Sequence, residues 1–159
     1  MTKLYKNVGG LLRYHEAWER DGVIIEHFGK VGDQGEIWEH EPNPESVTRL
    51  TTESVLSSAR ANGYLEISEE EHTSLVLEYP VKESFASEQE LNWRNEVSEQ
   101  VDQLLGWTGL GKWTGSSSGS GTMKLAYLVV DFELAKRVIE EELKKSQFLN
   151  YSRIYNARD

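Results

Sequence analysis

The chain has 159 residues, 38% of them hydrophobic, with five Trp, seven Tyr, four Phe and a formal net charge of −10. That length holds one domain or two small ones, and it buries about two-thirds of the unfolded surface without covalent staples. The lack of cysteine excludes disulfides and thiol catalysis and fits a reducing compartment.

Met1 to Lys6 is followed by Asn7 and paired glycines, not by an apolar signal-like segment. The longest apolar run, Leu125 to Val130, is far short of a membrane span. A soluble, cytoplasmic protein with no membrane contact is expected. The acid excess lies mainly in residues 1–72, which carry 7 basic and 14 acidic side chains against 10 and 13 in the remainder. Duplex binders gather Lys and Arg to displace counterions, and no such cluster occurs here.

In chain order, Lys3 to Lys6 reads as a short strand and Asn7 to Gly10 as a turn. Leu12, Tyr14 and Trp18 share one face of the next strand, which Glu16 interrupts. Asp21-Gly22 tolerates the positive φ of a tight hairpin, and Val23 to Lys30 returns. Gly32 to Gly35 turns again into a strand at Glu36 to Glu39. Pro42-Asn43-Pro44 ends that sheet, since proline cannot donate to a ladder. Val47, Leu50, Leu56 and Ala59 keep helical spacing up to Asn62, with Gly63 closing the helix. Tyr64 to Ile67 reads as a strand, and the polar seam Ser68 to Glu71 marks the boundary between domains 1–70 and 71–159.

The second half gives a strand from Thr73 to Val81 and a helix opened by the capping box Ser87-x-x-Glu90. Trp93, Val97, Val101 and Leu104 form its apolar stripe, ending at Gly106. A strand around Gly111 to Thr114, a Gly/Ser loop from Gly115 to Gly121 and an apolar strand from Thr122 to Val130 follow. Asp131 caps a helix with Phe132, Ala135, Val138, Ile139 and Leu143 inward, and Asn150 to Tyr155 is the last strand. The expected fold class is α+β: a small antiparallel sheet with one helix, then a βαββαβ, ferredoxin-like sandwich.

Motifs for catalysis are weak. Gly106 to Lys112 spells a phosphate loop, but Trp113 stands where Ser or Thr should hold Mg²⁺, and the run follows a helix and enters a strand. A glycine helix cap explains it better. Gly115 to Gly119 spells a G-x-S-x-G elbow by letter, in a loop that lacks the strand-to-helix turn. Gly115 to Gly121 also has the composition of an anion nest, although a hairpin loop accounts for the same residues. The four histidines have no metal-ligand spacing, and each reads as a surface or hydrogen-bonded structural residue. No enzyme, cofactor or metal is expected. Trp107 and Trp113 beside Lys112 suit a stacking platform for nucleic acid, but core packing accounts for most Trp in small domains.

The hairpin Arg13 to Glu36 resembles the WGR domain family. Tyr14 and Trp18 stand on its aromatic strand and Asp21-Gly22 at its turn. Phe28-Gly29-Lys30-Val31-Gly32 stands at the naming motif, with Phe28 and Lys30 where the family has Trp and Arg. Gly35-Glu36 follows at the next turn, and Ala59 to Tyr64 stands at the helix-to-strand step. The resemblance covers about residues 3–67 and implies a WGR-like β-rich fold for the first domain. In poly(ADP-ribose) polymerases that module contacts DNA and neighbouring domains. The second half is only faintly similar to small bacterial proteins of unassigned role, some of them acidic immunity partners of toxins.

These readings give a non-enzymatic, acidic protein-binding module of a bacterial cytoplasm, an immunity-type inhibitor or adaptor that masks a basic protein partner. A nucleic-acid-binding WGR-type module is the alternative, disfavoured by charge. The candidate partner-binding residues are Phe28, Gly29, Lys30, Arg13, Glu36, Glu39 and Glu41. Phe28-Gly29-Lys30 is the expected contact point, because glycine leaves the backbone open beside an aromatic and a cation.

Overall fold

The computed structural model of the chain describes residues 1–82 and 87–159. They form two compact units, Met1–Ser68 and Glu69–Asp159. The fold is α+β, with three α-helices and two antiparallel sheets of four strands among the described residues.

The first unit is a meander of β1 (Thr2–Val8), β2 (Leu11–Arg20), β3 (Val23–Lys30) and β4 (Glu36–His40), in that spatial order. Asp21 and Gly22 sit at φ 52° and 81°, the pair of positive values that a two-residue turn needs to match strand twist. The turn sets the register of the central pair, with Tyr14 opposite Gly29, His15 opposite Phe28 and Glu16 opposite His27. One face of the sheet carries Leu4, Ala17 and Ile24, and α1 (Thr52–Ala61) lays Leu56 and Ala59 onto them.

Helix α1 starts later than hydrophobic spacing suggests. Thr51 caps it, with Ser54 returning the bond to the Thr51 amide, so a serine fills the place usually held by Glu or Gln. Val47 lies before this cap and is fully exposed. Asn62 and Gly63 close the helix, Gly63 at φ 89°. The expected strand at Tyr64 to Ile67 reduces to one bridge, in which Tyr5 and Leu65 exchange backbone bonds of 2.7 and 2.9 Å. Glu69–Glu71 is a single 3₁₀ turn.

The second unit runs β5 (Thr73–Pro80), α2 (Glu88–Trp107), β6 (Gly111–Gly119), β7 (Thr122–Val129), α3 (Phe132–Leu143) and β8 (Arg153–Asn156). Its sheet order is β6-β7-β5-β8, antiparallel throughout. Ser87 and Glu90 form the capping box, and the backbone amides of Ser87 and Lys82 hold the Glu90 carboxyl below its ordinary range. Val97, Val101 and Leu105 are buried at successive helical turns. Leu105, not Leu104, completes the stripe, because i+4 spacing from Val101 stays on one face. Asp131 caps α3, which buries Ala135, Ile139 and Leu143, while Val138 is half-buried.

The largest departure from the sequence reading is Gly115 to Gly119. These residues are not a loop but the second half of β6, paired along β7 from Gly115–Ala126 to Gly119–Thr122. Serine and glycine have low strand propensity, and the apolar, centrally placed β7 overrides it. The loop is only Ser120-Gly121.

Two buried tyrosines in this unit make a test of the core. Tyr79 donates its hydroxyl to the Phe148 carbonyl at 2.8 Å, whereas the Tyr127 hydroxyl is buried with no partner. Burial pushes both phenols well above their ordinary range. Tyr79→Phe is expected to cost about 1 kcal/mol or more, since it strands a buried carbonyl. Tyr127→Phe is expected to be neutral or stabilising by up to about 1 kcal/mol, because it removes an unsatisfied group. Urea unfolding of the two variants checks the contrast.

Candidate functional site

Helix α1 covers only part of its sheet face. Beyond Leu4, Ala17 and Ile24, the same face continues through Arg13 and His15 on β2, Glu26, Phe28 and Lys30 on β3, and Glu36, Trp38 and His40 on β4. Strand alternation puts these side chains together.

Phe28 is the hub. It is half-buried, stacks on His15 with ring centroids 5.1 Å apart, and meets the edge of Trp38 at 4.9 Å. Tyr64 meets His15 from the side at 5.6 Å. Under these rings lies Glu26, whose carboxylate accepts from His40 Nε2 at 2.6 Å and from His15 Nε2 on its other oxygen. Trp38 is 55% exposed, and Ile37 on the opposite face of β4 is 47% exposed.

Gly29 plays a different part from the one expected. It is buried, and a Cβ there would lie 2.8 Å from Gly35 Cα and 3.2 Å from the Tyr14 hydroxyl. The backbone is closed by packing, not open to a partner. Gly35, at φ 71°, is tighter still, with its hypothetical Cβ 2.3 Å from the Phe28 carbonyl oxygen. The two glycines let the turn after β3 fold back onto the strand.

A buried polar network holds that turn. The Tyr14 hydroxyl lies 2.8 Å from the Gln34 carbonyl and 3.1 Å from that of Asp33. His27 Nε2 reaches the Gln34 carbonyl at 2.5 Å, and Nδ1 reaches Glu16 Oε1 at 2.7 Å. The Tyr14 hydroxyl stands 3.0 Å from the same Nε2, so His27 ties the turn to both Tyr14 and Glu16. Lys3 Nζ stands 3.1 Å from the other Glu16 oxygen, as an ion pair and not a directed hydrogen bond. Burial, then the Glu16 charge, pushes the Tyr14 phenol well above its ordinary range. Glu16, read from the sequence as a break in the strand, is 3% exposed and sits on the same face as Tyr14.

The remaining candidates are on the surface. Arg13 and Lys30 are exposed and directly opposite each other, and Lys30 is 3.9 Å from Asp33. Lys6 is opposite Arg13 on β1, and its ammonium caps the Asn62 carbonyl at 2.5 Å beside the Tyr64 ring. Glu39 pairs with Arg20 at 3.1 Å. Glu36 and Glu41 are exposed and make no ion pair among the described residues. Sequence reasoning missed Trp38, Glu26 and His40, although period-2 alternation from Phe28 and Glu36 carries the signal for them.

Histidines 15, 27 and 40 are thus all bonded to carboxylates, and among the described residues no group of His, Cys, Asp and Glu is set to hold a metal ion. The phosphate-loop look-alike is the end of α2, where the Leu110 amide bonds back to the Leu105 carbonyl at 2.9 Å before Gly111 enters β6. The G-x-S-x-G letters lie within β6. No protein-family model, no curated protein and no solved structure matches the chain.

Proposed function

We propose that the chain is a non-enzymatic binding module that docks a protein partner through β4 and the rings behind it. The carrying observation is a strand exposed on both faces, with Ile37 and Trp38 presented between Glu36, Glu39 and Glu41. Exposed tryptophan on a rigid ring stack is the kind of anchor that dominates interfaces. The free carboxylates of Glu36 and Glu41, on a chain of charge −10, favour a basic partner and speed its encounter. An immunity-type inhibitor or adaptor of a bacterial cytoplasm has this character. No helix among the described residues is long and apolar enough to cross a membrane.

The β6-β7-β5-β8 order with two helices supports a ferredoxin-like second unit, and the Phe28-Gly29-Lys30 hairpin supports a WGR-like first one. Crosslinked capture from the source cell tests the function. Wild-type chain is expected to recover a basic protein at low salt, and Trp38→Ala to weaken capture about 30-fold or more. Failure to recover a partner at low salt and high concentration, or capture indifferent to Trp38, Glu36 and Glu41, overturns it.

A second reading rests on a separate observation. Lys6, Arg13 and Lys30 stand in cross-strand register on one face, beside Phe28, Tyr64 and Trp38. Like charges directly opposite destabilise a sheet, so the row suits an anion, and rings next to cations suit single-stranded nucleic acid. Anisotropy of labelled DNA and RNA decides this. Salt-sensitive binding lost in Arg13→Glu supports it, and no binding at low ionic strength removes it.

A further inference from the structure

Sheet edges invite pairing with other chains, and proteins blunt them with charge, shortness, bulges or cover. Three of the four edges here are blunted. The outer side of β1 is bridged by Leu65, β4 carries glutamates, and β8 is four residues long and begins with Arg153.

The first half of β6 is blunted too. Lys112 pairs with Glu69, the Trp113 amide is taken by Asp102 Oδ1 at 2.7 Å, and a bulge falls between Trp113 and Gly115. The second half, Gly115 to Gly119, has none of these devices. It contains no charge and no proline, and nothing pairs with its outer side among the described residues.

The register fixes which groups are free. The two-residue turn Ser120-Gly121 closes the hairpin at Gly119–Thr122, a hydrogen-bonded pair. Alternation makes Ser117–Lys124 and Gly115–Ala126 hydrogen-bonded as well, so the amide and carbonyl groups of Ser116 and Ser118 face away from β7.

We propose that Gly115–Gly119 is a self-association edge, pairing antiparallel with the same segment of a second copy about a two-fold axis at Ser117. The segment reads Gly-Ser-Ser-Ser-Gly in both directions, so it is its own antiparallel complement. Ser116 meets Ser118 of the second copy, and both present outward backbone groups, so each such pair exchanges both bonds. Ser117 meets Ser117 of the second copy as the non-hydrogen-bonded pair on the axis. Two chains of −10 each then touch where neither carries charge. The buried area is well below a standard interface, so the dimer is weak. Screening should strengthen it, the reverse of an ion-paired contact.

The test is the sedimentation of the full chain in the analytical ultracentrifuge, from about 10 µM to about 0.5 mM, at low and high salt. A dimer fraction rising with concentration and with salt is expected. Ser118→Pro removes one outward donor and leaves the β7 ladder intact. Ser117→Lys sets two like charges opposite each other at the axis and leaves the backbone untouched. Each variant should weaken dimerisation about tenfold or more while the circular dichroism spectrum stays native. Because the chain has no cysteine, Ser117→Cys is a unique thiol, and mild oxidation should crosslink it faster than Ser57→Cys on exposed α1. A strict monomer at the top concentration and high salt overturns the proposal. So does a dimer that Ser117→Lys leaves unchanged, or crosslinking of Ser117→Cys no faster than the Ser57 control.

Discussion

Gly35→Ala is expected to destabilise the first unit by about 3 kcal/mol or more. Two costs combine. A left-handed φ of 71° is unfavourable for any residue with a Cβ, by about 1–2 kcal/mol. The new Cβ would also stand 2.3 Å from the Phe28 carbonyl oxygen and 2.4 Å from the Tyr14 hydroxyl, and the first of these is backbone that cannot swing away. Gly22→Ala separates the two costs, because Gly22 has φ 81° but nothing within 4 Å of its Cβ position. That variant should lose only the conformational part. Hydrogen exchange of the amides in Met1–Ser68, read against those of Glu69–Asp159, measures the difference and shows whether it stays in one unit. Equal costs at the two sites would mean that the close approach of Gly35 to β3 is unimportant.

Gly35 also shows what a sequence can and cannot disclose. Its glycine announces a turn, as Asp21-Gly22 does, and local rules reach that far. The alternation along β2 and β3 and the caps at Ser87 and Asp131 are local too, and all are found in the structure. What escapes is set by neighbours distant in sequence. Gly29 looks like an open contact until Gly35 is placed on it. Glu16 looks like a break in an apolar face until Lys3 and His27 arrive from the adjoining strands. Gly115 to Gly119 looks like a linker until β7 supplies a ladder for it. Tyr64 to Ile67 has strand composition, but only Leu65 finds a partner, on Tyr5.

The candidate site follows the same division. Arg13, Lys30, Glu36, Glu39 and Glu41 are exposed, as polar residues in or next to a half-buried sheet should be. The rings that organise them are legible only through register, because β3 to β4 pairing decides that Trp38, rather than Ile37, joins Phe28. A one-residue slip would put Ile37 on that face.

Glu16→Ala carries the other large effect, and its reach extends to this site. The Glu16 side chain is 4% exposed and compensates His27, itself 1% exposed, together with Lys3. Removing one member of a buried ionic set leaves the others desolvated, and the expected loss is about 3–5 kcal/mol. His27→Ala should lose a similar amount, and the double variant much less than the two added, since the second change removes a buried polar group that the first left without its partner. A coupling energy near zero in that cycle, from urea unfolding followed by first-unit hydrogen exchange, would reduce the network to ordinary packing. His27→Ala and the conservative Glu16→Gln should also differ in function. His27 holds the Gln34 carbonyl directly, and Gln34 leads through Gly35 into β4, which presents Trp38. His27→Ala is therefore expected to weaken capture through Trp38 under conditions where the chain is still folded. Glu16→Gln keeps the volume and an acceptor for His27 Nδ1, and it should leave capture near wild type. Loss of affinity in His27→Ala with Trp38 intact would tie the buried network to the exposed anchor, a coupling that runs through one turn.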